Sequence, residues 1–376
     1  MVRTTQAPGA PAIGLVGWNG IDPNARTSNV YNWNFSIQRE VAKNTSIEVS
    51  YIGSAGHRLG LYLDANEPNV IAADPGFRGS QSPNQQVFPF PQWGGAAVAS
   101  DLANSTFHGL VVSSKMRLNN LLTMNNSYTW SHGIDNASSF FGSNNDFSSP
   151  DDSRNLAAER GNSGNDQRHR FINAFVFDVP VGNGRHFMSA AHGVMQKVIG
   201  GWSLSGITNI ATGNPFTVYA NPAIDFSGFN SFADRPDIQG SGPLVINRGN
   251  PDSFFDPGYF GKTDPNALCP GSTTNKYANG CAPTGRVGTS PRNAYYGPGL
   301  ISLDTTAAKT FQIHERLKLE YRADFFNALN HTNFAVLARN RSENNGAFGT
   351  LSSTSTFNNG DTGGPRVIQM TLRLQF

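Results

Sequence analysis

Charge is what this chain has least of. Asp, Glu, Lys and Arg make up 14% of its 376 residues, where an ordinary globular domain carries about a quarter. The net charge of +2 points to neither nucleic acid nor a charged membrane surface as a partner. Long apolar runs are missing as well. No stretch approaches the roughly 18 apolar residues of a transmembrane helix, and the mean hydropathy is −0.37, which excludes a helical membrane protein. The opening Met1-Val-Arg-Thr-Thr-Gln-Ala-Pro lacks the apolar core of a signal peptide. Enzyme signatures are absent too. The eight histidines never fall in a metal-ligand spacing such as HExxH, and no GxSxG, EF-hand or phosphate loop in its proper context occurs. No cofactor and no enzymatic activity are expected. What the chain does have is 40 Gly, 26 Phe and 11% aromatic residues. That aromatic content argues against disorder, and sparse charge among uncharged polar and aromatic residues suits a transmembrane β-barrel, whose hydropathy averages out along each strand.

The C-terminus shows the underlying pattern. In Arg366 to Phe376, the residues Ile368, Met370, Leu372, Leu374 and Phe376 alternate with Val367, Gln369, Thr371, Arg373 and Gln375. A period of two marks a β-strand between an apolar and a polar medium. A soluble sandwich strand would alternate in the same way. The length, however, matches a tilted membrane-spanning strand of about 9–11 residues, and the chain ends on an aromatic side chain.

The same alternation recurs along the chain. Residues 1–28 read as irregular, and residues 29–376 as one barrel-forming unit. Strands are expected near Tyr31–Gln38, Thr45–Tyr51, Thr106–Leu118, Leu122–Trp130, Phe171–Val179, Trp202–Ile210, Ile301–Ile313 and Leu317–Phe325, with the C-terminal strand closing a set of about nine. Between them, short and long connections take turns. Glu40 to Asn44, Asn119-Asn120 and His314-Glu315-Arg316 are tight turns. Pro180 to Gly201 is moderate, with a short helix expected around Met188 to Val198. The segments near 53–104, 132–167, 221–298 and 331–364 are long. This is the asymmetry of an antiparallel up-and-down outer-membrane barrel, with short periplasmic turns and long extracellular loops. A soluble sandwich has no reason to sort its connections so.

Physically, a lipid-facing surface needs an apolar residue at every second position, because hydrocarbon offers no hydrogen bonds. The other face can carry charge if it lines water. Lys318, Glu320, Arg322 and Asp324 alternate with Leu319, Tyr321, Ala323 and Phe325 and are expected to face a wet lumen, since they would be costly in a sandwich core. Tyr31, Trp33, Tyr51, Tyr128, Trp130 and Trp202 lie towards strand ends, as an aromatic girdle requires. Other polar clusters have ordinary explanations. Asp166, Arg168, His169 and Arg170 are compatible with acid–base chemistry, but pairing at a barrel rim fits better. Asp146, Asp151 and Asp152 could ligate calcium, but their spacing favours solvated loop carboxylates. His108, His132 and His331 are expected at strand ends, and Gly182-Asn-Gly184 in a turn. Cys269 and Cys281 share one long extracellular loop. Export through an oxidising compartment favours a disulfide between them, closing about 13 residues for roughly 3 kcal/mol, over a pair of unbonded loop thiols.

Several segments taken together resemble the Oar-like TonB-dependent receptors of Gram-negative bacteria. They are Tyr31-Asn-Trp-Asn-Phe-Ser-Ile-Gln-Arg-Glu40, Glu48-Val-Ser-Tyr-Ile-Gly-Ser-Ala-Gly-His57, Asn126-Ser-Tyr-Thr-Trp-Ser-His132 and Arg168-His-Arg-Phe171. Gly200-Gly-Trp-Ser-Leu-Ser-Gly206, Thr212-Gly-Asn-Pro-Phe216 and Leu319 to Phe334 complete the set. The resemblance implies an outer-membrane location, a barrel of about 22 strands, and a plug on which the TonB complex pulls. It also implies uptake of a bulky solute such as a carbohydrate, peptide or chelate, and a terminal strand whose Phe376 is read by the barrel-assembly machinery. With about nine strands and no plug or TonB box in its sequence, the chain corresponds to the C-terminal part of such a barrel. An odd strand count also leaves the first and last strands parallel, so the sheet is not expected to close antiparallel on itself. The missing signal peptide fits a piece of a longer chain or a misplaced start. The alternatives are a surface adhesion or secretion protein that transports nothing, and a soluble secreted β-protein such as a carbohydrate-binding module or hydrolase.

Overall fold

A computed structural model describes the chain except for residues 1–16, 68, 71–85, 88, 91–92, 94, 120, 141–148, 220–233, 262–286, 315–316, 336–347, 352–353, 355, 358–360 and 363. Cys269, Cys281 and Asp146 therefore lie outside the described residues.

Nine long strands carry the fold: β1 (Asn29–Ala42), β2 (Thr45–Asp64), β3 (Ala96–Leu118), β4 (Leu122–Asp135), β5 (His169–Asp178), β6 (Trp202–Ala211), β7 (Leu300–Gln312), β8 (Lys318–Phe326) and β9 (Val367–Gln375). Each pairs antiparallel with its sequence neighbour, so the sheet is an up-and-down meander from β1 to β9. Among the described residues, β1 and β9 are each paired along one edge only. The alternation seen in the sequence is the register of the sheet. Phe311, Leu319 and Leu374 stand in one cross-strand row, and Thr310, Glu320 and Arg373 stand in the next on the opposite face.

Packing is inverted relative to a water-soluble sandwich. The apolar face of the strands is bare, with Phe35 65%, Met370 68% and Leu372 67% exposed. Among the described residues, the buried apolar cluster lies outside the meander, in the long connections, where Phe216, Val218, Phe254, Phe255, Phe260, Phe348 and Leu351 pack together. In water such a bare belt would be an aggregation surface; in lipid it is solvated. Among the described residues no helix is long and apolar enough to cross a membrane.

Three features depart from the sequence expectation. Strands β2 and β3 run on well past Tyr51 and begin well before Thr106, so much of the stretch read as a loop near 53–104 is a tall hairpin. The register shifts at Gly56–Leu59 and Leu59–Leu61, and above the lipid belt the hairpin buries Leu61, Ser100 and Ala103 and stacks Tyr62 on Phe140, so nothing there demands a strict apolar–polar alternation. Within residues 1–28, read as irregular, Trp18–Ile21 forms a short strand parallel to Ala96–Ala99 of β3. The pairing is offered by the protruding hairpin, whose edge would otherwise be open. The helix expected around Met188 to Val198 is the shorter α1 (Gly193–Ile199). It starts late because Met188 and Gly193 take positive φ, a conformation that interrupts a right-handed helix.

Candidate functional site: the polar face and the extracellular cap

On β8, the sequence-singled residues Lys318, Glu320, Arg322 and Asp324 share the face opposite Leu319, Tyr321, Ala323 and Phe325. Arg322 Nε donates to Asp324 Oδ1 at 2.7 Å, and Thr306 Oγ1 on β7 donates to the same oxygen at 2.6 Å. Gln375 on β9 reaches Glu320 at 3.4 Å. The face continues through Ser205, Asn209, Thr129 and Glu48 to Gln38 on β1. At the short-turn end of β1 to β4 it forms a recess of about 620 Å³ whose walls include Gln38, Glu40, Ser46, Lys115 and Arg117. The arrangement is a wall of hydroxyls, amides and charges of both signs, interrupted on β5 and β6 by Ile172, Ala174, Val176 and Ile207, and on balance suited to water and polar solutes.

The described residues of the long connections within 136–168, 212–299 and 327–366 fold together into a cap with its own core and a buried ionic network. Arg292, 5% exposed, donates to the Asp135 carboxylate at 2.8 Å, to Ser138 Oγ at 2.8 Å, and to the carbonyls of Asp135 and Glu159 at 3.1 and 3.0 Å. Arg235 pairs with Glu159 at 2.8 Å, and its backbone amide donates to Asp151 at 3.2 Å. Burial, with Asp234 close by, pushes the Asp151 carboxyl well above the usual carboxylate range. Asn293 links the two halves, exchanging hydrogen bonds with Thr217 and with the backbone of Asn162. These partners lie tens of residues apart or more, and no local motif announces them.

The other candidates separate once placed. Asp166 and Arg168 do meet, at 3.6 Å, and Tyr296 bridges them, donating to Asp166 at 3.1 Å and accepting from Arg168 at 3.2 Å. His169 and Arg170 are consecutive in β5 and so point to opposite faces; His169 bonds Tyr128 on the apolar side at 2.7 Å. No acid–base constellation results. Asp151 is buried on Arg235, while Asp152 holds Arg154 at 3.3 Å, so the two carboxylates do not converge. Among the described residues no cluster of His, Cys, Asp or Glu could hold a metal. His108 and His132 lie inside extended strands rather than at their ends, because β3 and β4 outrun the alternating region. His331 lies past the end of β8, beyond the turn at Asn327 to Asn330. Gly182 and Gly184 take positive φ in a turn.

The motif segments turn out to be joints. In Phe325 to Phe334, Asn327 and Asn330 take positive φ and end β8. Asn327 Nδ2 donates to Gly364 and His331 carbonyls, and Asn333 exchanges two hydrogen bonds with the Ile301 backbone in place of a strand neighbour. Gly53 lies under the Trp33 ring, where a Cβ would collide with the indole. Gly213 packs on the Gly297 carbonyl just as closely. Tyr51–His108 and Tyr128–His169 hydrogen bonds mark the long-connection rim of the apolar belt.

A bare apolar belt, a polar opposite face and long connections gathered at one end define an outer-membrane β-barrel. The chain belongs to the outer membrane beta barrel domain family, whose model matches residues 1–369. It resides in the outer membrane of a Gram-negative cell, in contact with lipid, and the family is not one of enzymes. Among solved structures it is similar to the outer membrane transporter YddB from Escherichia coli, at 10% identity and TM-score 0.41, covering 94% of this chain and 33% of that one. It is also similar to the ferripyoverdine receptor of Pseudomonas aeruginosa bound to ferripyoverdine, at 10% and 0.39 over 93% and 27%. A third is the copper transporter OprC, at 8% and 0.36 over 94% and 32%. The chain thus spans a third or less of these proteins' lengths. No curated protein matches the sequence.

Proposed function

We propose that this chain is the C-terminal part of the barrel of a TonB-dependent receptor that takes up a bulky polar solute: a carbohydrate, peptide or chelate. The observation that carries the reading is the pairing of a largely polar face, charged through Lys318, Glu320, Arg322 and Asp324, with a cored cap at one end of the same strands. In this reading those four residues line the lumen, and the cap meets the solute before the wall does. The open edges of β1 and β9 support it: in hydrocarbon an unpaired strand edge is very costly, so further strands complete the barrel. The motif segments resembling Oar-like receptors support the TonB coupling, and in this reading Phe376, 99% exposed, is the residue that the assembly machinery reads.

The test is competitive growth of a deletion strain on panels of oligosaccharides, peptides and metal chelates, beside a TonB-deficient strain. Loss of one solute class in both strains supports the reading. A surface phenotype, such as lost adhesion, with uptake intact and indifferent to TonB would overturn it in favour of an adhesion role.

A further inference from the structure

Of the short-turn connections, the one between β5 and β6 stands apart. Pro180–Gly201 carries α1 and holds no acidic residue, while Arg185 and Lys197 give it positive charge. Its apolar side chains point outward: Phe187, Met188, Met195, Val194 (77% exposed) and Val198 (60%). A periplasmic turn surrounded by water would have no cause to present five such residues together.

The segment is also firmly built. Asn183 N–H donates to Gln196 Oε1 at 2.6 Å, and Phe187 N–H donates to the Pro180 carbonyl at 3.0 Å. Gly182, at φ +117°, leaves the room that the Gln196 amide occupies. The C-terminal turn of α1 is fastened to the sheet by two donors: Trp202 Nε1 and Lys309 Nζ reach the Val198 carbonyl at 3.0 and 2.8 Å. Trp202 and Lys309 are cross-strand partners on the apolar face, and Lys309 faces Tyr321 across the next pair. Lys309 lies 5.3 Å from the Trp202 ring centroid and 4.8 Å from that of Phe311. The helix is therefore pinned at the rim of the lipid-facing belt, and its exposed side chains continue that belt outward.

From this continuity we propose that Pro180–Gly201 is an interfacial foot lying in the periplasmic leaflet of the outer membrane. Val194, Met195 and Val198 sit at the level of the acyl chains, and Arg185 and Lys197 at the level of anionic phospholipid phosphates. Apolar contact combined with cations and no acid is the recipe for a segment lying in the interface. Lys309 gives its charge to a helix C-terminus, where the dipole favours a cation, and so remains on a face that otherwise meets lipid. The inference rests on the outer-membrane family and on this geometry, and is independent of what the barrel transports.

The experiment uses the protein as it assembles in the outer membrane, together with the strands that complete its barrel, with native cysteines changed to serine and reconstituted in vesicles of phosphatidylethanolamine and phosphatidylglycerol. A nitroxide is attached at Val194→Cys, with Leu204→Cys as a lipid-belt reference and Asn183→Cys as a rim reference. The ratio of collision rates with oxygen and with a water-soluble nickel chelate should be several-fold higher at 194 than at 183, and close to that at 204. A ratio at 194 matching bulk water overturns the proposal. Exclusion of both reagents also overturns it, since the face would then be covered by protein. Should the 194 label prevent heat-modifiable folding, Val198→Cys gives the same reading.

Discussion

Replacing Arg292 with methionine is expected to unlatch the cap without dismantling the barrel. Its guanidinium makes at least four hydrogen bonds between 2.8 and 3.1 Å, and the side chains of both Arg292 and Asp135 are 3% exposed. The substitution leaves the Asp135 carboxylate buried without its cation, a loss worth about 3–5 kcal/mol. Expressed as an opening equilibrium, this is roughly two to three and a half powers of ten. Hydrogen exchange at the Asn293 amide, which donates to Thr217 Oγ1 at 2.9 Å, reads that opening. Electrophoretic heat-modifiability reads the barrel in the same sample and should be unchanged. The double variant Arg292→Met with Asp135→Leu should recover much of the loss, because no lone charge remains. Wild-type protection at Asn293 in the single variant would refute the idea that this pair holds the cap.

Glu67 gives a pH test. Burial raises its carboxyl from 4.5 to about 7, against the opposing effects of the Ser153 amide and Arg154. A raised carboxyl pKa favours the folded state fully below about 4.5, and that contribution, on the order of 3 kcal/mol at most, fades as pH climbs through about 7. The Ser153 amide, 2.6 Å from Glu67, should lose protection over that window, and Glu67→Gln should flatten the trend; protection that grows with pH would contradict it. Gly213→Ala drives a methyl into the Gly297 carbonyl and should cost the cap about 1–3 kcal/mol, seen as faster protease nicking of residues 212–299 on whole cells. For Cys269 and Cys281 we propose a disulfide: neither should react with maleimide in exported, non-reduced protein, and labelling of both would exclude the bond.

Legibility in the sequence followed the solvent. Where lipid lay on one side and water on the other, as along Leu317 to Phe325 or Ile368 to Phe376, every second residue was constrained and the strands could be read almost to the residue. Above the lipid belt that constraint lapsed: the upper halves of β2 and β3 bury Leu61, Ser100 and Ala103 and stack Tyr62 on Phe140 without a fixed period, and they passed for loop. The cap was hidden for another reason. Phe216, Phe254 and Phe348 meet in space but follow no period, and Asp135 and Arg292 are 157 positions apart, so segments that read as bland polar loops carry the one apolar core described. His169 and Arg170 were separable in principle, since neighbours in a strand cannot share a face.

The tall hairpin has a consequence for encounters at the cell surface. Strands β2 and β3 hold 20 and 23 residues, about 70 and 80 Å of chain, whereas crossing lipid takes roughly 9–11 residues. Beyond the Tyr51–His108 rim some 40 Å of paired strand remains, measured along the chain, and Trp18–Ile21 braces its side. The hairpin's far end is not free: Asp64 N–H donates to Ser153 Oγ at 3.0 Å, and Glu67 pairs with Arg154 at 2.7 Å, so hairpin and cap are tied together. A particle too large for the barrel mouth, such as a phage tail or an antibody, would therefore press on hairpin and cap as one body and pass the load down the paired strands to the lipid belt.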